Sequence, residues 1–272
     1  MASEQQSLEA PNIITLLHQA FPESHLVDFL HHFEVPFFSA IVICGLAIVA
    51  RMASAHPTIV PGKLQNAVEF LVDGLDQFVC GVMGPVGREF TPFIGTLFLY
   101  ILSMNLIGIV PGMHSPTASI NTTVALAVTV FCYVQYTGMR KLGLLGYLDH
   151  LAGSPRPKGI FGYIIAICIA IPFNFVLHTI GEIIKPLSLS VRLFGNIFGE
   201  DVLIGQMMLL GILALSFIGS PVGIPLQLPF YLLAMLTSVI QAVVFSLLSV
   251  IYIFLMLPHE AEGHHTAVGV PT

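Results

Sequence analysis

The sequence predicts an all-α integral membrane protein, with about five membrane-crossing helices and one interfacial amphipathic helix. Three observations carry this. Of 272 residues, 56% are apolar and only 9% charged, against about 25% charged in a soluble domain. Residues 90–139 and 202–259 contain no Asp, Glu, Lys or Arg. Apolar runs recur at about 20 residues, the length that crosses a bilayer as a helix. The net charge of −6 sits mostly at the ends and in the loops, so it does not point to nucleic acid. The first Lys or Arg is Arg51, so no basic leader opens the chain and a cleaved signal peptide is not expected. Cys44, Cys80, Cys132 and Cys168 are isolated and lack metal-ligand spacing. They are expected to be small buried apolar residues.

The elements follow in order. Residues 1–34 are polar and His-rich and form an extracytoplasmic segment; a membrane domain covers 35–258, and 259–272 is a tail. Val35–Ala50 is the first span, ending at Arg51. About 62–83, Leu64, Val68, Leu71, Leu75, Phe78 and Val79 recur at helical spacing among Glu69, Asp73 and Asp76. That stretch is too polar to cross, and packing under the membrane domain explains it better than anionic lipid. Thr91–Val110 is the second span, closed by the turn PGMHSP. Asn121 to about Thr137 is the third, its start INTT offering capping side chains. Arg140, Lys141, Arg156 and Lys158 bracket a loop. Apolar sequence resumes over 159–180 and 202–218, a turn covers 220–229, and Phe230–Leu257 is the last span. Seven of the nine Lys and Arg lie in 51–88 or 140–158, and none in 1–50 or 111–139. The basic loops are cytoplasmic, so the N-terminus is outside and five crossings put the C-terminus inside.

The stretch Glu182–Asp201 carries five charges without a turn-forming cluster. A helix running through it, kinked near Pro172 and Pro186 and strongly tilted, is expected. An Arg at mid-membrane costs roughly 2.5–3.5 kcal/mol and faces a partner or a wet cavity. On a helix at about 100° per residue, Asp201 projects opposite Arg192, and Glu182 and Glu200 lie roughly 80° to either side. Ser188 and Asn196 are its one-turn neighbours. Arg192 thus has polar neighbours and no neutralising acid on its own helix. Arginine keeps its proton in proteins, so it serves as a permanent charge that carboxylates approach and leave. Asp201, and His178 about four turns before Arg192, are candidates for a proton relay. A structural histidine is the ordinary alternative. No GxxxxGK[ST] motif is present. No cofactor or metal is expected; His264 and His265 read as part of a solvated tail.

KPLSLSVRLFGNIFGEDV resembles the signature of the a subunit of bacterial and chloroplast-type ATP synthase. Residues 105–128 resemble a second block of that family, and TSVIQAVVFSLLSVIYIFL, with Gln241, a third. The likeness runs from about 35 to 258. It implies a membrane stator in the bacterial inner membrane, with the last two helices long and tilted against a rotating c-ring. It further implies contacts with the b/b' peripheral stalk and the remaining synthase subunits. Arg192 matches the essential charge that faces the ring carboxylates and separates two proton half-channels. Asn196 and Gln241 match polar positions beside it. Asp201, preceded by Glu200, matches an acid of the outward half-channel, and Asn121 belongs to the block lining outward access. His178 falls where many relatives carry Glu in the inward half-channel, and Glu182 lies one turn on. Some relatives pair the acid with a His where this chain has Ala234. The rivals are a secondary transporter binding an anion at Arg192, and a structural subunit using charges as internal glue. The absence of a repeat argues against the transporter.

Overall fold

The computed structural model describes residues 13–21, 25–55, 61–110, 112–151, 171–216 and 225–257. They form helices α1 (Ile13–Ala20), α2 (His25–His32), α3 (Glu34–Ser54), α4 (Lys63–Met83), α5 (Thr91–Ile107), α6 (Ile120–Leu151), α7 (Ile171–Ser216) and α8 (Leu228–Met256). Two 3-10 turns, Gly84–Glu89 and Pro116–Ala118, link them, and no strand occurs among the described residues. The chain clusters into one compact unit of 1–130 and 184–251, and a second of 131–183 and 252–272.

Helix α3 and the stretches Ile120–Gly143, Ile171–Ala214 and Leu228–Met256 are long and apolar enough to cross a membrane. At 17 residues α5 is a shorter apolar helix, at the low end of the crossing range. The expected second span is therefore three residues shorter, because the chain leaves the helix at Gly108. Residues 152–170 and 217–224, which hold Cys168 and parts of two expected connections, lie outside the described residues. Arg140 and Lys141 were expected to open a loop, and the helix instead continues past them to Leu151. Nothing breaks α6 until Gly143, whose φ of 71° is open to glycine at little cost. Helix α7 runs unbroken for 46 residues through Pro186. At about 1.5 Å per residue it is roughly 69 Å long, about twice the hydrocarbon thickness.

In the first unit, α3, α4 and α5 pack on one another. Helix α4 is amphipathic as expected, but only its second half is covered. Leu75, Val79 and Met83 are buried, whereas Leu64, Leu71 and Phe70 are exposed. Asp76 joins the end of α4 to α5. It accepts from the Thr91 hydroxyl at 2.8 Å and from Arg88 Nη2 at 3.1 Å. The Thr91 bond first, and then Arg88, hold its carboxyl below the ordinary carboxylate value, against the opposing effect of burial. A depressed carboxylate stabilises above its unfolded pKa and loses that stabilisation as pH falls through the folded one. Asp76→Asn should therefore lower the melting temperature of the detergent-solubilised complex at pH 7, and the deficit should shrink below about pH 4.

The cysteines depart from expectation. Cys44 and Cys132 are exposed and Cys80 is half-buried. In a bilayer an outward helix face is apolar too, so apolar character does not imply burial in protein.

Candidate functional site

Helix α7 presents two different faces within the first unit. Leu189, Leu193, Ile197 and Ile204 recur at helical spacing and are buried. Buried Ser190 on this side donates to Thr123 Oγ1 at 3.2 Å. The other face carries Leu187, Ser188, Val191, Arg192, Gly195, Asn196 and Gly199, all exposed. A Cβ added at Gly195 or Gly199 would meet nothing within 4 Å. Arg192 therefore stands on an open, narrow-waisted strip of helix. Among the described residues it makes no ion pair or hydrogen bond. The expectation that its counter-charge is not on its own helix agrees with this.

One turn along, Asn196 Nδ2 donates to Gln241 Oε1 at 2.7 Å. Gln241 is only 3% exposed, and its Nε2 has no partner among the described residues. A buried polar atom in that state costs about 1–3 kcal/mol, and such exceptions in folded proteins call for an explanation in function or strain. The structure thus joins two of the expected residues directly. Glu200 is half-buried and within hydrogen-bonding reach of the Thr237 hydroxyl. Asp201, also half-buried, lies close enough to Tyr231 for its charge to act on the phenol. Tyr231 is three residues before Ala234, hence on the same side of α8; Ala234 itself is buried. Ser188 and Asn196 are exposed beside Arg192 as the helical spacing requires.

Asn121 lies apart from this group. It is exposed in the first turn of α6 and lines a cavity of about 980 Å³. Neither Asp201 nor Gln241 is among the lining residues of that cavity.

The second unit holds the other two expected residues, and they differ. Glu182 is buried and accepts from Gln135 Nε2 at 3.2 Å. Gln135 Oε1 in turn accepts from the Tyr147 hydroxyl at 2.5 Å. Burial, followed by the charge of Glu182, pushes the Tyr147 phenol up. His178 is exposed. The turn at Gly143 returns the chain so that the Tyr147 ring lies 3.5 Å from where a Gly138 Cβ would be. Sequence reasoning missed Gln135 and Tyr147, since nothing local marks them. It also missed a buried network around Asn105. Thr117 donates to Asn105 Oδ1 at 2.7 Å, Ser115 Oγ lies 2.8 Å from Thr117 Oγ1, and Asn105 Nδ2 reaches Ser238 O at 3.4 Å. Asn105 is an uncharged polar residue in an apolar run, and that was the available signal.

The family model described as ATP synthase A chain matches residues 35–254. The chain belongs to the ATP synthase A chain family. It is 43% identical over 254 residues to ATP synthase subunit a of Protochlamydia amoebophila, covering 93% of this chain and 91% of that one. It is 37% identical to the subunit a of Oleidesulfovibrio alaskensis, with 84% and 87% covered. For that of Moorella thermoacetica the identity is 35%, with 84% and 94% covered. Membership of the ATP synthase A chain family and the apolar helices make this a multi-pass membrane protein. The transporter reading of Arg192 finds no support in this family.

Proposed function

We propose that this chain is the stationary proton-carrying subunit of an F-type ATP synthase. It forms two half-channels beside a rotating c-ring and couples proton flow to ATP synthesis, binding no nucleotide itself. It assembles with the ring, the b/b' stalk and the remaining subunits in the bacterial inner membrane. Residues 1–34 lie outside, 35–258 form the membrane domain, and 259–272 a cytoplasmic tail.

The observation that carries this reading is Arg192, exposed on an open strip and without an acid partner among the described residues. A permanent charge in that position calls for a carboxylate supplied from outside the chain. A ring carboxylate that reaches it is driven to its ionised form and gives up its proton. Glu200 and Asp201 receive protons from the outer side, with Asn196 and Gln241 as the polar neighbours of the ring site. Moving one charge through 100 mV supplies about 2.3 kcal/mol, so several protons are needed per ATP.

Disulfide trapping tests the geometry. Cysteines at Ser188 and Val191 should cross-link to cysteines beside the ring carboxylate, and one at Tyr136, exposed on α6, should not. The reverse pattern would overturn the reading.

For the inward half-channel we favour Glu182 over His178, because Glu182 is buried and hydrogen-bonded while His178 is exposed. Glu182→Gln should slow ATP-driven acidification of inverted vesicles at least tenfold, or about 1.4 kcal/mol. His178→Gln should leave it within about twofold, or roughly 0.4 kcal/mol. Equal losses, or the opposite order, would reject the assignment.

A further inference from the structure

We propose that the large cavity in the first unit is an imidazole-lined vestibule that collects protons at the outer mouth of the channel. The inference rests on the proposed orientation and proton path, and adds a site those do not contain. The cavity measures about 980 Å³ and is walled by His31 and His32, Glu34, Tyr100, His114 and Asn121. One water needs roughly 10–15 Å³ of such space, so the cavity has room for many waters. His32 and Asn121 in the wall are exposed, so the space is open to the outside of the fold, and the walls concentrate titratable groups in a chain with few of them.

The assembly is held by specific contacts. The Ile13 amide donates to the Gly112 carbonyl at 2.8 Å, tying the start of α1 to the connection that carries His114. Gly112 has a φ of +86°, and a Cβ there would come within 2.8 Å of Ile13 Cγ1. Helices α1 and α2 pack on each other, and α2 on α3, so His31 and His32 at the end of α2 are held in the cavity wall. The His18 ring lies 4.7 Å from that of His31, and His18 Nε2 lies 3.8 Å from Asp28 Oδ1. These two groups face His31 from behind. Glu34, Tyr100 and His114 face it across the cavity from α3, α5 and the connection. Helix α6 and the 3-10 turn contribute only uncharged groups there. Phe194 also lines the cavity, two residues from Arg192 on α7. The vestibule thus ends against the helix that carries the proposed ring site.

The chemistry follows from the residue types. Free protons are scarce near neutral pH, and imidazole is the side chain whose ordinary pKa lies in that range. A histidine takes a proton from outside, becomes an imidazolium, and passes it to cavity water or to the Glu34 carboxylate. The imidazole is restored and one proton has moved inward. Burial holds His114 below the ordinary imidazole value, so at neutral pH it returns quickly to its neutral, accepting form. The four histidines of residues 1–32, which had no role in the sequence reading, acquire one for His31 and His32.

The test uses the whole complex in sealed vesicles, with proton flow driven inward and the pH of the outer face varied from about 5.5 to 8.5 around the imidazole range. The triple variant H31Q/H32Q/H114Q should match wild type at the acid end and fall threefold or more below it above pH 7. Varying the inner pH should not separate the two. A triple variant that tracks wild type at every outer pH overturns the proposal. So does one reduced by the same factor throughout, since that is a structural effect. If the triple variant does not assemble, His32→Gln, at an exposed position, should show the same pH-dependent deficit in smaller measure, and its absence is equally fatal. In a cysteine-free background, Ser119→Cys and Thr122→Cys should react with an impermeant thiol reagent from the outer side alone. Reaction from the inner side overturns the orientation. Wild-type behaviour of the histidine variants, with Arg192 still essential, overturns the vestibule alone.

Discussion

Replacing Arg192 by lysine should abolish ATP-driven acidification of inverted vesicles while the complex stays assembled. The side chain is exposed and forms no ion pair within the described residues, so its removal leaves no buried acid among them unpaired. Assembly should be unaffected for that reason. Pumping should not survive, because the two cations differ. Arginine stays charged and presents a planar fork of donors; a lysine shifts its pKa readily when desolvated. A lysine that loses its proton at the desolvated face between this chain and the ring no longer favours the ionised ring carboxylate. A loss of at least a hundredfold, about 2.7 kcal/mol, is expected. Arg192→Ala should in addition raise passive proton leak after the soluble sector is stripped, since nothing then separates the two half-channels. Normal pumping by the lysine variant would reduce Arg192 to a structural charge, and the proposed mechanism would fall with it.

Gly108→Ala should prevent stable assembly. A Cβ at Gly108 would lie 2.6 Å from Ser115 Cβ and 3.2 Å from both Ser115 Cα and N. The backbone of the connection has to move, since no flexible side-chain end can yield. Ser115 is buried and bonds Met104 O at 3.0 Å and the Thr117 hydroxyl at 2.8 Å. Moving it disturbs Asn105 and its contact with Ser238 on α8. Overpacking costs typically 1–3 kcal/mol, and each buried polar group left unsatisfied adds about 1–3 kcal/mol. Gly45→Ala makes the comparison, because a Cβ there meets nothing within 4 Å and alanine favours the helix by roughly 0.5–1 kcal/mol. Immunoblots of the purified complex and its melting temperature should show the Gly108 variant depleted and the Gly45 variant intact. Equal recovery of both would mean that the approach of Ser115 to Gly108 carries no weight.

Much of the site was legible along the chain. Arg192, Ser188 and Asn196 share one strip because helical spacing puts them there, and the structure agrees. Gln241 was named through the family resemblance, and the structure adds its bond to Asn196. The alternatives left open at Glu182 and His178 could not be separated from spacing alone, because both stand on the same helix about one turn apart. The structure shows that their surroundings differ, Glu182 being buried and His178 exposed. Cys44 and Cys132 misled, since apolar residues in a membrane chain face lipid as readily as protein.

The sequence by itself determined the membrane class, the order of the apolar helices, the amphipathic character of α4 and the isolation of Arg192 from acids on its own helix. These depend on composition and on periodicities of a few residues, which are local. Only the tertiary structure decided which polar groups meet. Asn196 and Gln241 are 45 residues apart, Gln135 and Glu182 47, and Ser190 and Thr123 67. Such pairs arise when helices pack, and no local propensity encodes them. The same holds for the cavity, where residues from α2, α3, α5, α6 and α7 form one wall, and for the open side of Arg192, which packing elsewhere on α7 leaves uncovered.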